Sequence, residues 1–404
     1  MIIFDSNFQK MYKAKYLILS LAALFFAPES IYAQVTNPPV TGTGQQGGDE
    51  RNVITTAMPF LLISPDSRSA GMGDVGVALS PDANAIQWNA ARLAFTENEI
   101  GASLSYSPWL ANLNVNDMSI SYLSAYYKIS QNQVIGFALK YFDLGSITFT
   151  DTGVDGTEAN PKDYSISVSY SRKLSDVFAA SLTGGFARSN LFGNYSGGNA
   201  DESKPATALI VDLGMFYTKG LLFNGKDSEF SAGLQLGNIS NKVTYSSNDQ
   251  EQFLPINLKI GSAFTTSIDA YNTITFALDF NKLMVPTPNL GDSVAPTLLE
   301  GMFGSFNDAP NGFSEELKEI TISAGLEYWY NNVFAVRTGY FYEHEFKGGR
   351  KYFTAGLGFR YQVLGLDFSY LIPVEKQNPL GETLRFTASF NLEQLSSSKS
   401  TVKD

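Results

Sequence analysis

The side chains best suited to proton transfer or metal binding are scarce in this chain. His344 is the single histidine among 404 residues, and it stands between Glu343 and Glu345. A hydrolase needs a positioned base, most often an imidazole. One histidine between two carboxylates lacks the further ligands of a histidine-rich zinc site, and the two acids would hold a metal weakly. The triplet reads as a solvated residue at the rim of a strand. Cysteine is absent, so disulfides, thiolate chemistry and a lipoprotein anchor are excluded. Gly71-Met72-Gly73-Asp74-Val75-Gly76 has the spacing of a dinucleotide fingerprint. That fingerprint needs a βαβ unit and an acid about 20 residues further on. Asn89 and Arg92 stand in that stretch instead. The glycines therefore read as tight turns and close backbone packing. No catalytic residue, metal site or cofactor is expected, and the chain does not read as an enzyme.

The remaining charged residues fall on one face of strands. From Phe353, every second residue is apolar: Phe353, Ala355, Leu357, Phe359, Tyr361. The same holds from Leu364 to Ile372 and from Leu384 to Leu392. Between them lie Thr354, Gly356, Gly358, Arg360, Asp367, Ser369, Arg385 and Thr387. Period-two alternation is strand code. An aromatic-rich face opposite a charged one suits lipid outside and water inside. Lys140, Asp212, Asp279, Glu327, Arg337, Arg360, Asp367 and Arg385 all take the inward face, and their mixed signs suggest paired charges across the lumen.

Fourteen segments carry this pattern, from 100–109 to 382–392, and most reach ten residues or more, the length of a tilted membrane strand. The connections alternate. Gln131-Asn132, Ser175-Asp176, Gly220–Asp227, Ser267–Ala270, Asn331-Asn332 and Gln362 are short. The stretches 145–162, 192–205, 239–255 and 284–318 are long. Short turns on one side and long loops on the other is the outer-membrane pattern, with an even count placing both termini on the periplasmic side. Tyr328, Tyr330, Tyr340 and Tyr342 sit at strand ends, where interfacial girdles belong. The expected fold class is all-β, a 14-stranded antiparallel transmembrane barrel. With 30 Phe, 21 Tyr and 35 Gly, the composition favours strands and turns. The formal charge of −11 speaks against nucleic acid as a partner.

Residues 1–33 read as a secretory signal peptide. Lys10, Lys13 and Lys15 precede an apolar run, and Ile31-Tyr32-Ala33 offers a cleavage site. Residues 34–52 should be a flexible lead-in, 53–96 a plug or hatch within the lumen, 97–392 the barrel and 393–404 a polar periplasmic tail. In the loop 284–318, Leu298, Leu299, Met302, Phe303, Phe306 and Phe313 are apolar although a loop at the cell surface lies in water. Such residues mark a partner surface or fold inward over the pore.

The plug segment carries a resemblance. Ala70-Gly71-Met72-Gly73-Asp74-Val75-Gly76 through Trp88-Asn89 is similar to the plug signature of FadL-family outer-membrane proteins. That family commonly has Trp-Asn-Pro-Ala-Gly where this chain has Trp88-Asn89-Ala90-Ala91-Arg92. The run beginning Ser64-Pro65-Asp66-Ser67-Arg68 resembles more closely the FadL-like PorV group of the type IX secretion system in Bacteroidetes. The resemblance implies a barrel in the cell outer membrane with a hatch and no enzymatic role. It also implies partners: a giant translocon barrel, the C-terminal domains of exported cargo, and a sortase-containing attachment complex, all amid outer-membrane lipid. The alternative is a FadL-type transporter of hydrophobic solutes, which would want an apolar channel.

Overall fold

The computed structural model describes residues 52–111, 117–149, 157–191, 204–246, 251–288, 296–374, 381 and 383–392. The segments 1–33 and 393–404, and most of 34–52, lie outside the described residues. Fourteen strands close a single antiparallel barrel. They are β1 (Ile100–Pro108), β2 (Ser119–Ser130), β3 (Gln133–Asp143), β6 (Lys162–Ser175), β7 (Phe178–Asn190), β8 (Ala206–Phe223), β9 (Lys226–Ser240), β10 (Asn257–Ser267), β11 (Asn272–Leu283), β12 (Thr321–Tyr330), β13 (Phe334–Tyr342), β14 (Lys351–Tyr361), β15 (Leu364–Pro373) and β16 (Leu384–Leu392). Two further strands, β4 (Ile147–Phe149) and β5 (Thr157–Ala159), pair with each other in the first long loop. The ring closes where β1 pairs with β16, from Ile100 opposite Leu392 to Tyr106 opposite Phe386. Closure satisfies the backbone amides and carbonyls of both edges, which lipid requires.

Burial is inverted relative to a water-soluble sheet. In β16, Phe386 and Phe390 are 46% and 43% exposed, whereas Arg385 and Thr387 are 4% and 3% exposed. The alternation of β14 and β15 behaves alike: Phe353, Leu357, Phe359 and Leu366 face outward, and Thr354 and Asp367 are buried. An outward apolar row of this kind costs free energy in water and gains it in hydrocarbon, at roughly 25 cal/mol per Å².

One expected connection is wrong. Gly220–Asp227 is not a loop. β8 and β9 continue through it, with Leu222 opposite Asp227 and Phe223 opposite Lys226. The turn is Asn224-Gly225 alone, with φ of 51° and 74°. Two left-handed residues form the hairpin turn whose twist matches the strands, and Asn-Gly is the pair that adopts it most readily.

Residues 53–96 form short helical turns, among them Pro59–Leu62, Ser67–Ala70, Ala85–Trp88 and Ala90–Phe95. They bond to the inward faces of strands around the whole ring. Ser124 of β2 donates to Asn84, Lys140 of β3 to the Ile63 carbonyl at 2.9 Å, and Ser171 of β6 to the Ala90 carbonyl at 2.6 Å. Asn89 donates to the Met215 carbonyl of β8 at 2.8 Å. The Gly76 and Val77 amides donate to Asp279 of β11, at 2.7 and 3.0 Å. Gly73 donates to Thr354 of β14, and Ser67 to Thr387 of β16.

Candidate partner-binding site

The long loop between β11 and β12 holds a helix, Leu298–Gly304. Its start is fixed by Glu300, whose carboxylate accepts from the Thr297 amide at 3.0 Å and hydroxyl at 2.7 Å. Such a reciprocal cap stabilises a short helix that propensity alone would not hold. The helix divides the apolar residues of the loop. Met302 is buried, and Leu298 packs beside it against Phe253, Ile256, Met284 and Val285. Gly301 lies on the Phe253 ring; a Cβ there would come within 2.5 Å of Cζ. The opposite face carries Leu299 and Phe303, one helical turn apart and 62% and 67% exposed. Phe306 follows the helix with the Lys282 ammonium 5.6 Å from its ring centre. Phe313 opens the next helical turn, Phe313–Glu316, and is 73% exposed, with Leu317 exposed one turn further on. Of the six apolar loop residues, four face solvent, while Met302, with Leu298 packed beside it, anchors the loop. Leu317 escaped the sequence reading; its spacing of four from Phe313 was the available signal.

A buried ionic cluster clamps the second half of the loop. Lys282 at the end of β11 bonds Glu316 at 3.0 Å and Glu319 at 2.6 Å. Lys347 bonds Glu315 at 2.5 Å and Glu319 at 2.9 Å. The other oxygens of Glu316 and Glu315 accept from the Ala309 and Asn311 amides, and Glu319 Oε1, already bonded to Lys347, also accepts from the Thr287 hydroxyl. Every acid in the cluster thus has both a cation and a neutral donor, the condition under which buried charges persist.

His344 sits beside this clamp. Its Nδ1 accepts from the Phe346 amide at 3.3 Å and so caps the turn Glu345–Lys347. Burial, followed by the nearby Lys318 ammonium, holds its imidazole below the ordinary range despite Glu345. Glu343 is engaged by Arg350 at 2.7 and 2.8 Å. The triplet is thus built into the rim.

The glycine-rich segment is equally well engaged. Gly73 has a φ of 72°, and a Cβ on it would meet Tyr340 N at 2.6 Å. A Cβ on Gly76 would enter the Trp88 ring at 2.2 Å. The wall answers with its own glycines: Cβ atoms on Gly325 and Gly339 would strike Met72 and Gly73 within 2.5 Å. Asp74 accepts from Tyr352. The Trp88 indole donates to Asp66 at 2.7 Å, and Asp66 also accepts from the Ser69 amide. Asn89 caps the turn after it by accepting from Ala91.

Arg68 extends from this segment into an ionic chain along the wall. It bonds Asp82 at 2.8 Å and Glu327 at 2.9 Å. Glu327 bonds Arg337 at 2.7 Å, Arg337 bonds Asp367 at 2.7 Å, and Asp367 bonds Arg360 at 2.8 Å. The expected pairing of lumenal charges holds for these four wall residues. It does not hold for Lys140 and Asp279, whose partners are backbone groups of residues 61–77.

Openings flank the segment. One of about 310 Å³ borders Arg68, Asp82, Trp329, Asn332 and Arg360 on the short-turn side. Another, about 630 Å³, lies toward the long loops among Phe60, Trp88, Trp109, Phe142, Lys259 and Arg385.

The family profile of "Type IX secretion system protein PorV" matches residues 46–290. The chain belongs to the PorV family. It is an outer-membrane β-barrel of the type IX secretion system, and the matched region covers the glycine-rich segment and the wall through β11. No curated protein sequence matches the chain. Among solved structures, it is similar to the toluene transporter TbuX of Ralstonia pickettii at 12% identity, covering 83% of this chain and 99% of that one, with a TM-score of 0.46. For the Pseudomonas putida toluene transporter TodX the values are 11%, 80%, 95% and 0.43. For a Pseudomonas aeruginosa FadL homologue they are 11%, 84%, 99% and 0.41.

Proposed function

We propose that this PorV-family barrel receives the C-terminal domain of exported cargo at the cell surface, beside a giant translocon barrel, and passes it to a sortase-containing attachment complex. The long loops face the exterior and the carboxyl terminus the periplasm. The observation that carries the reading is the outward face of the loop: Leu299, Phe303, Phe306 and Phe313 are exposed, on a loop held rigidly from below. Lipid contact does not account for large apolar groups in an aqueous loop; a partner does.

Residues 53–96 serve as the hatch in this reading. Gly71, Met72, Gly73, Asp74 and Gly76 lay backbone against the wall, and Trp88 with Asn89 braces it. Transport of a hydrophobic solute through the barrel would need an apolar passage. The ionic chain Arg68–Glu327–Arg337–Asp367 makes part of the inner wall charged, which speaks against a wholly apolar passage. The test replaces Phe303 and Phe313 with Asp in cells and follows cargo release. Loss of surface cargo with a normally inserted barrel is expected. Normal cargo display would remove the loop from the account.

A further inference from the structure

The chain passes through the lumen in a definite direction. Its first described residues lie among the long loops. The Asn52 amide donates to the Phe346 carbonyl at 3.0 Å, in the connection between β13 and β14. The Asn52 side chain donates to Glu315, the acid that also holds Lys347. The Ala57 amide donates to the Phe253 carbonyl at 2.8 Å, in the long connection between β9 and β10. Val53, Ile54 and Thr55 line the cavity on that side. The segment then crosses the barrel, and Ser80, Asp82 and Asn84 border the cavity on the short-turn side. Its last residues stay there. Lys128, at the end of β2 next to the Gln131-Asn132 turn, donates from Nζ to the Thr96 carbonyl at 2.7 Å and from its amide to the Glu99 carbonyl at 2.9 Å.

An even number of strands places both ends of the wall on one side. It does not place both ends of the chain there, because residues 53–96 cross the lumen once before the wall begins. The chain that precedes Asn52 therefore starts from the long-loop face. A return through the lumen would lay a second length of backbone beside the first. An extended chain needs a passage of roughly 5 by 10 Å, and folded chains avoid threading closed rings. The crossing segment is tightly enclosed: Met58, Phe60, Met72, Leu79 and Leu93 are all at most 1% exposed.

We propose that residues 34–51, left after signal cleavage at Ala33, form an amino-terminal arm outside the cell, beside the loop between β11 and β12. The proposal rests on the reading that the long loops face the exterior, and it moves the amino terminus away from the periplasmic side that strand counting alone suggests. The point of departure decides what the arm meets. Glu315 belongs to the helical turn Phe313–Glu316, so the arm leaves beside the exposed Phe313 ring. A flexible chain of that length spans roughly 20–25 Å. A partner that docks on the aromatic face of the loop meets the arm as well.

The chain has no cysteine, so a single introduced thiol reports its side of the membrane without background. Gln45→Cys marks the arm, Asn241→Cys the long connection after β9, and Asp176→Cys the short turn between β6 and β7. Cells carrying the full-length protein are treated with a membrane-impermeant maleimide, before and after the outer membrane is permeabilised. Gln45→Cys and Asn241→Cys are expected to label in intact cells, and Asp176→Cys only after permeabilisation. Labelling of Gln45→Cys only after permeabilisation, with both controls as expected, overturns the inference and leaves the orientation of the barrel standing. If the two controls exchange behaviour, the orientation reading falls and the external arm falls with it. An epitope inserted between Gly47 and Gly48 gives a second readout that no thiol chemistry affects. Antibody binding to intact cells is expected; binding only to lysed cells overturns the arm.

Discussion

Arg337 is the residue on which most of the lumenal electrostatics turns. Its guanidinium joins Glu327 to Asp367 across three strands, with Trp329 5.4 Å away beneath it. Gly358 leaves the room: a Cβ there would lie 2.8 Å from both terminal nitrogens. Both carboxylates keep a second arginine when Arg337 is removed, Arg68 for one and Arg360 for the other. Arg337→Met is expected to destabilise the barrel by about 3 kcal/mol, the lower part of the range for breaking a buried pair. Arg360 is a quarter exposed at its side chain, and Arg360→Gln should cost about 1 kcal/mol or less. Urea unfolding followed by tryptophan fluorescence checks the ranking. Equal losses would mean that the chain of charges is solvated and contributes little. Alternation alone placed Glu327, Arg337 and Asp367 inward, because period two is a local property. Their link to Arg68 was not legible, since Arg68 and Glu327 are 259 positions apart and no periodicity reports such a pairing.

At the scale of elements, the loop helix shows what the sequence hid. Leu298–Gly304 contains two glycines, which propensity counts against. The cap Thr297–Glu300 was the available signal, and tertiary contact with Phe253 completes it. The misread hairpin has a similar cause: Leu221-Leu222-Phe223 breaks alternation, while the decisive Asn224-Gly225 pair sits inside the run. The loop helix also yields a prediction. Gly301→Val forces the helix off Phe253 and should expose Met302, whereas Lys347→Met frees only the second half of the loop. Hydrogen exchange should rise across 297–305 in the first variant and across 308–319 in the second. A rise across the whole loop in both would show that the apolar anchor and the ionic clamp are one unit.

At the scale of the molecule, the outward apolar rows and the inward polar rows identify the medium, and any transmembrane barrel shares them. What individualises this one is the fit of residues 71–77 against glycines of the wall. Gly339→Val places carbon where the Gly73 amide and Met72 carbonyl lie, 2.1 Å from a Cβ position. If residues 53–96 seal the lumen, the purified protein conducts negligibly in planar bilayers and the Gly339→Val variant conducts measurably. Large steady currents from the unmodified protein would contradict the hatch. The proposed partner surface is the aromatic face of the loop between β11 and β12. The most direct measurement is the affinity of the purified barrel for an isolated cargo C-terminal domain, before and after Phe303→Asp and Phe313→Asp. The paired substitution is expected to weaken binding at least tenfold, a loss of about 1.4 kcal/mol or more, while the barrel stays folded. Unchanged affinity would contradict it.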